Sequence, residues 1–250
     1  MTDLTKQELE RYSRNIKLDG VGITGQKKIK QSKVLIIGVG GLGSPAALYL
    51  AAAGVGTIGL VDFDKVEENN LQRQILHSTA KIGLSKVQSA KKTLNDINPN
   101  TKINLYDIKV NKTNIKKIIK NYDVVIDATD NLPTKYIIND ACVALKKPHV
   151  FATVTAFDGQ VSVFNYRNGP CLRCLFPEIP ESTHIPTCAD SGVMGVLPGV
   201  IGTIQATETL KIILGLGDVL SGRYLVYNAA IMMFKELNLK KNKNCSVCSK

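Results

Sequence analysis

A glycine turn between an apolar segment and a helical segment is the feature that most constrains the fold of this chain. The apolar residues 34–37 run directly into Gly-Val-Gly-Gly-Leu-Gly at residues 38–43, and residues 44–50 are typical of a helix. Unpaired backbone N–H groups and the positive end of the helix dipole face the same point in such a turn. The sequence therefore predicts an anion site directly after the first strand.

Valine- and isoleucine-rich segments alternate with helical segments along the first half of the chain. Strands are predicted at residues 34–37, 58–61, 103–108 and 124–126, and helices at 44–53, 85–97 and 113–120. This alternation is typical of a parallel sheet covered on both faces. Further along, we predict a helix at 134–145, strands at 149–154 and 160–164, a helix at 200–214, and closing strands at 224–227 and 232–237.

The stretch of residues 165–191 holds four prolines and no sustained period, so it is predicted to be a long loop, and long loops in compact domains are usually functional. We expect one α/β domain over residues 1–250. Its sheet should be Rossmann-like and doubly wound, parallel in the N-terminal part with antiparallel strands added in the C-terminal part.

Composition excludes several classes of protein. Of the 250 residues 44% are hydrophobic, but no apolar run approaches the ~18 residues of a membrane span. The polar, partly acidic start is unlike a secretion signal, so we expect a cytoplasmic protein without membrane contact. The formal net charge of +11 comes from scattered lysine groups without interleaved aromatic residues, which does not favour nucleic-acid binding. A basic surface would instead suit an acidic protein partner.

An acidic residue and two cations follow the glycine turn. Asp62 lies 19 residues after Gly43, where a carboxylate can accept hydrogen bonds from a ribose, so a dinucleotide oxidoreductase is the first interpretation. Arg73 and Lys86 then argue against it, because two cations near the turn would meet phosphates on which negative charge builds. The chain has no Gly-x-x-x-x-Gly-Lys-Ser/Thr run, so a P-loop ATPase does not fit.

Two aspartates close the fourth predicted strand. Asp130 lies at the carboxyl edge of the sheet and is well placed to hold Mg²⁺. Asp127 is flanked by apolar residues, so we expect it only to cap the strand end. His77, His149 and His184 are assigned no catalytic role.

Four of the six cysteines form two Cys-x-x-Cys pairs, Cys171 with Cys174 and Cys245 with Cys248. Four thiolates around one Zn²⁺ would make a closed structural site that joins the long loop to the C-terminal tail. The alternative is a redox centre, but that needs one pair, usually at a helix start, and these pairs follow loop-forming residues. Cys142 continues an apolar helical face and should be a small buried side chain.

Several motifs together match a known family. They are Arg11-Tyr12-Ser13-Arg14, the glycine turn, Asp62-Phe63-Asp64, Asn70-Leu71-Gln72-Arg73-Gln74, Lys86, Asp130-Asn131, both cysteine pairs, and Gly192-Val193-Met194-Gly195. With these the chain resembles, nearly end to end, the bacterial ThiF/MoeB class of adenylating enzymes, relatives of the catalytic domain of ubiquitin-activating enzymes. The resemblance implies an N-terminal helical arm (1–32), a nucleotide-binding half (33–154), and a carrier-binding half (155–250) with a crossover loop and zinc knuckles.

The resemblance also implies roles for individual residues. The residues implied to bind ATP are Gly38, Gly40, Gly41, Gly43, Asp62, Asp64, Asn70, Arg73, Gln74, Lys86, Asp130 and Asn131. Arg73 and Lys86 would stabilise the pyrophosphate leaving group, and Asp130 would ligate Mg²⁺. Arg14 would reach the phosphates of the other subunit, which makes a homodimer part of the site.

Cys188, in the long loop, is the position where the resemblance places a thioester or acyl persulfide to the partner protein. Reasoning from the residues supports this only modestly, because no base is adjacent and Asp190 would tend to raise the thiol pKa.

The implied reaction joins a ubiquitin-like sulfur carrier of the ThiS/MoaD type to AMP. The carboxylate of its C-terminal Gly-Gly attacks the α-phosphorus of ATP, releasing pyrophosphate, as a step of thiamine, molybdopterin or related thiolation pathways. Because the chain ends just after the second cysteine pair, we expect the sulfur donor to be a separate protein. The alternatives are a tRNA base dehydratase-like enzyme, whose branch generally lacks the cysteine pairs, and a non-catalytic nucleotide-binding partner, which the intact Arg73, Lys86 and Asp130 disfavour.

Overall fold

The computed structural model describes residues 3–179 and 191–249. The N-terminal arm is formed by three helices, α1 (Lys6–Arg11), α2 (Ser13–Ile16) and α3 (Gly22–Gln31). Thr5 and Glu8 form a capping box at the start of α1. The arm is fixed to the rest of the chain by Tyr12, whose hydroxyl accepts a hydrogen bond from Asn98 Nδ2 at 2.8 Å.

One mixed sheet of eight strands runs through the chain in the order β3-β2-β1-β4-β5-β6-β7-β8. Its strands are β1 (Lys33–Ile37), β2 (Thr57–Asp62), β3 (Lys102–Asp107), β4 (Val124–Asp127), β5 (His149–Thr155), β6 (Asp158–Phe164), β7 (Arg223–Asn228) and β8 (Met233–Asn238). Strands β1 to β5 pair in parallel, and β6 to β8 are antiparallel. The predicted fold class is confirmed.

Helices cover both faces of the sheet, and alternate residues of β1 show how. Val34 and Ile36 pack into one core with α3, α4 (Gly43–Ala53), α5 (Lys86–Ile97) and α9 (Leu197–Leu214). Leu35 and Ile37 point to the other face, into a core with α6 (Ile115–Ile119) and α7 (Leu132–Ala144). Because side chains alternate along a strand, an apolar residue at every position of β1 after Lys33 requires cover on both sides.

Most predicted helices and strands agree with the structure to within two residues at each end, and two differences go beyond that. Helix α9 begins at Leu197 rather than at residue 200, with Pro198 in the first helical turn, where a proline costs no hydrogen bond. The predicted long loop contains a short helix, α8 (Leu172–Leu175), next to the first cysteine pair. Residues 180–190, and with them Cys188, lie outside the described residues. Within the described ranges, no helix has both the length and the apolar character needed to span a bilayer.

Candidate functional site

A cavity of about 250 Å³ opens at the carboxyl ends of β1, β2, β4 and β5. It lies where the strand order reverses between β1 and β4, the usual ligand site of open α/β sheets. Most of the sequence-predicted nucleotide residues line it, namely Gly38, Gly40, Gly41, Asp62, Asp64, Arg73, Gln74, Lys86, Asp130 and Asn131. The fold therefore gathers into one wall residues that are spread over 94 positions of sequence, from 38 to 131.

The glycine turn fits closely against the loop that follows β4. Gly38 has a φ of 94°, and a Cβ placed on it would lie 2.5 Å from the carbonyl oxygen of Ala128. Gly43, which is not part of the cavity wall, packs against the Gly38 carbonyl without room for a side chain. Helix α4 begins here with no side-chain cap. Within its first turn Ser44 N donates to the Gly40 carbonyl at 2.9 Å and Pro45 has no N–H group, so the helix offers an anion mainly the positive end of its dipole.

Asp62 supports the turn from the end of β2. Its Oδ2 accepts a hydrogen bond from Val39 N at 2.7 Å, and its Oδ1 accepts one from Asp64 N at 2.9 Å. Burial raises the pKa of the Asp62 carboxyl above its usual range, although the charge of Lys86 acts in the opposite direction. The carboxylate thus shapes the turn and also faces the cavity.

Both predicted cations line the cavity. The Lys86 Nζ atom, on a side chain that is almost fully buried, lies 3.0 Å from Asp64 Oδ2. Arg73 donates from its Nη1 to the carbonyl of Asn69 at 3.0 Å. Gln74 also lines the cavity, and its buried Oε1 has no hydrogen-bond partner among the described residues.

Asp130 is exposed and also lines the cavity, and Asn131 Nδ2 donates to its Oδ1 at 3.4 Å. Asn131 also caps α7 by accepting a hydrogen bond from Thr134 N.

Besides Gly43, two of the residues predicted for the nucleotide site do not line the cavity. Asn70 is buried in the segment that leads to Arg73, and its Oδ1 accepts a hydrogen bond from Glu67 N. Arg14, on α2, does not line the cavity of its own chain.

The expectation that Asp127 only caps a strand was wrong. Its carboxylate is fully buried and forms an ion pair with Lys135 (3.1 Å) and a contact with His149 Nε2 (3.3 Å). Burial alone would raise the pKa of Asp127, but Lys135 and the hydrogen bond from His149 hold it at about 2. His149 is fully buried, and Cys142 is fully buried in the core, as predicted.

Sequence reasoning missed several residues of the cavity wall. Phe63, Ile108 and Val110 make it apolar on the side of β2 and β3, and Lys109 Nζ lies 5.4 Å from the centre of the Phe63 ring. Thr129 and Thr153 add hydroxyl groups at the ends of β4 and β5. The sequence signal that could have identified these residues was their place in the chain, because each lies near the carboxyl end of a parallel strand, where ligands bind in such sheets.

The two cysteine pairs meet in space. The four Sγ atoms of Cys171, Cys174, Cys245 and Cys248 lie within 4.8 Å of one another. The distances are 3.7 Å between Cys171 and Cys245 and 3.4 Å between Cys174 and Cys248. Helix α7 connects this cluster to the cavity, because its first turn follows Asn131 and its Asn139 accepts a hydrogen bond from Leu172 N.

Comparisons with known proteins agree with this geometry. The ThiF family model matches residues 12–247. The adenylyltransferase and sulfurtransferase MOCS3 of Drosophila sechellia is 48% identical over 249 residues, which is 99% of this chain and 55% of that protein. MOCS3 of Aedes aegypti is 47% identical over 98% of this chain and 56% of its own length. This chain therefore spans about half the length of the curated relatives that it matches.

Solved structures share the fold at lower identity. Escherichia coli MccB with ATP has a TM-score of 0.83 and 22% identity, covering 98% of this chain and 75% of its own. PaaA has a TM-score of 0.81 and 24% identity, over 97% of this chain and 76% of its own. The sheet order defines a Rossmann-like α/β protein with a cavity at the carboxyl ends of its parallel strands. Within that class, the chain belongs to the ThiF family.

Proposed function

We propose that this protein is an ATP-dependent adenylyltransferase that activates the C-terminal glycine of a ubiquitin-like sulfur carrier. The observation that carries the proposal is the convergence of Arg73, Lys86 and Asp130 on one cavity beside the glycine turn. The names of the MOCS3 relatives, adenylyltransferase and sulfurtransferase, support the same reaction class.

The wall residues suit each part of ATP. The glycine turn, at the positive end of the α4 dipole, would bind phosphate oxygens, and Asp62 would accept hydrogen bonds from the ribose. The apolar side chains of Phe63, Ile108 and Val110 offer a surface for a flat base. Arg73 and Lys86 would stabilise the charge that builds on pyrophosphate as the glycine carboxylate attacks the α-phosphorus.

Asp130 fits a magnesium ion because it is an exposed carboxylate that lines the same cavity as the two cations. Bound Mg²⁺ would neutralise phosphate charge. The protein's own contribution is to align the two anions, carboxylate and phosphate, which otherwise repel each other, and to keep water from the mixed anhydride.

The cysteine cluster fits zinc. Four thiolates at about 2.3 Å around a tetrahedral ion lie about 3.8 Å apart, close to the two measured sulfur distances. We infer a structural zinc site at Cys171, Cys174, Cys245 and Cys248, which would join the segment after β6 to the C-terminal tail.

We place the carrier on the C-terminal half, residues 155–250, and the nucleotide on residues 33–154. All six residues of the edge strand β8 are exposed, and the turn before it carries Ile231 and Met232, which are 66% and 72% exposed. An apolar edge of this kind suits a protein partner.

We further propose that Arg14 completes the phosphate site of a second copy in a homodimer. We also propose that Cys188 takes part in a later sulfur-transfer step with a separate donor.

Carrier-dependent exchange of pyrophosphate into ATP tests the proposal. The protein is incubated with MgATP and candidate carriers that end in Gly-Gly, and the mass of each carrier's C-terminus is read for added AMP. We expect exchange with at least one carrier, none with the same carrier lacking its last glycine, and none with Asp130→Ala. Cys188→Ala should retain exchange. Tight ATP binding without exchange with any carrier would overturn the proposal in favour of a non-catalytic partner protein.

A further inference from the structure

A buried ion pair lies directly behind the wall that carries Asp130. Lys135 is 1% exposed and Asp127 is 0% exposed, and Nζ and Oδ1 are 3.1 Å apart. Neither residue lines the cavity. Burying two charges costs several kcal/mol in desolvation for each ion, so the pair is a poor device for stability alone. Several further contacts of this carboxylate and ammonium involve a residue that lines the cavity or lies next to one that does.

The Asp127 carboxylate holds the start of the loop that carries Asp130. Its Oδ1 accepts hydrogen bonds from Thr129 N at 3.1 Å and from Thr129 Oγ1 at 2.7 Å. Lys135, which follows this loop in α7, donates from its Nζ to the same oxygen at 3.1 Å. One carboxylate oxygen therefore contacts Thr129, just before Asp130 in the chain, and Lys135, just after it.

The Lys135 ammonium reaches the neighbouring strand. It donates to the carbonyl of Ala152 in β5 at 2.7 Å and lies 4.9 Å from the centre of the Phe151 ring. The next residue, Thr153, lines the cavity. The backbone of Asp127 is fixed separately, because Gln205 Nε2 in α9 donates to its carbonyl at 2.8 Å. Elements β4, β5, α7 and α9 thus meet at this pair.

The loop fixed by the pair is also the loop against which the glycine turn packs. Gly38 approaches the Ala128 carbonyl so closely that no side chain fits between them. A shift of residues 128–131 would therefore move Asp130 relative to the turn.

We propose that the Lys135–Asp127 ion pair is a positioning device that sets the Asp130 carboxylate against the phosphate site, so that its loss weakens divalent-metal binding. This inference rests on the proposed function, since it takes Asp130 as the metal ligand. Residues that orient a metal ligand typically change metal affinity by about 10- to 100-fold when removed.

Manganese binding measures this effect without enzymatic turnover. The full chain is titrated with Mn²⁺ in the presence of a non-hydrolysable ATP analogue, and free Mn²⁺ is followed by electron paramagnetic resonance. Lys135→Met leaves a buried carboxylate unpaired and is at risk of unfolding, so the test includes Asp127→Asn/Lys135→Met, which removes both charges. We expect the double variant to weaken Mn²⁺ binding about tenfold.

Lys211→Met is the matched control. Lys211 pairs with Glu208, a buried carboxylate in α9, and neither residue lines the cavity. This variant should lose stability and keep the Mn²⁺ affinity of the wild type. If a folded double variant binds Mn²⁺ as tightly as wild type, the positioning role is wrong while the proposed function stands. If the wild type has no nucleotide-dependent Mn²⁺ site, both are wrong.

Discussion

Asp62 and His77 bind the same residue of the glycine turn from opposite directions. The Asp62 carboxylate accepts the Val39 N–H at 2.7 Å, and His77 Nε2 lies 3.0 Å from the Val39 carbonyl oxygen. A carbonyl can only accept, so Nε2 carries a proton, and in the neutral imidazole Nδ1 then accepts from Ser89 Oγ at 2.9 Å. The turn is therefore held at Val39 by an imidazole N–H on one side and a carboxylate on the other.

This arrangement predicts a pH-dependent stability. Burial, with the charges of Lys86 and Lys81, lowers the pKa of His77 below its usual 6.5. The folded state then binds fewer protons than the unfolded state, so His77 contributes stability above pH 6.5 that is lost as the pH falls below it. We expect the melting temperature of the wild type to fall between pH 7 and about 5, and His77→Gln to show a flatter profile.

The comparison of wild type with His77→Gln isolates this residue from Asp62, whose raised pKa acts with the opposite sign. Protonation of Asp62 favours the folded state as the pH falls. Parallel melting profiles for the two proteins would show that His77 does not titrate in this way.

Asp62→Asn should weaken nucleotide binding by about 10- to 100-fold, because hydrogen bonds to a charged acceptor contribute about 1.5–3 kcal/mol. Calorimetric titration with a non-hydrolysable ATP analogue measures the loss. Asp107→Asn is the control, since Asp107 pairs in register with Asp62 at the end of β3 but does not line the cavity. Equal affinity in both variants would remove Asp62 from the nucleotide site.

The sequence predicted the parts of the site that belong to short, local patterns. The glycine turn, Asp62 and Lys86 each follow or open an element that periodicity identifies, so their meeting at one sheet edge follows from the parallel order. Lys135 could not be predicted in this way, because a lysine in a helix is normally exposed and its burial depends on the pairing with Asp127. The same applies to contacts between a helix and the sheet, such as the hydrogen bond from Gln205 in α9 to the carbonyl of Asp127 in β4.

Metal analysis should find one zinc ion per chain, held by the cysteine cluster. We expect Cys248→Ala to lose the zinc and to melt at a lower temperature, because the link between the two cysteine pairs is broken. Cys142→Ala is the control: its thiol is buried in the core among apolar side chains, so this variant should lose stability but keep its zinc. A wild-type protein free of zinc after purification without chelators would contradict the assignment.

Gly38→Ala tests whether the close approach of the turn to the β4 loop matters for binding. Gly215 offers a matched control, because it also has a positive φ (70°, against 94° for Gly38) but has open space where a Cβ would lie. Alanine at a positive φ costs about 1–2 kcal/mol at either position. At Gly38 the added methyl group would also meet the Ala128 carbonyl at 2.5 Å and push the turn from the loop that carries Asp130. We therefore expect Gly38→Ala to lose affinity for the ATP analogue beyond its loss of stability, whereas Gly215→Ala should bind normally. Equal affinities in the two variants would mean that the turn tolerates this displacement.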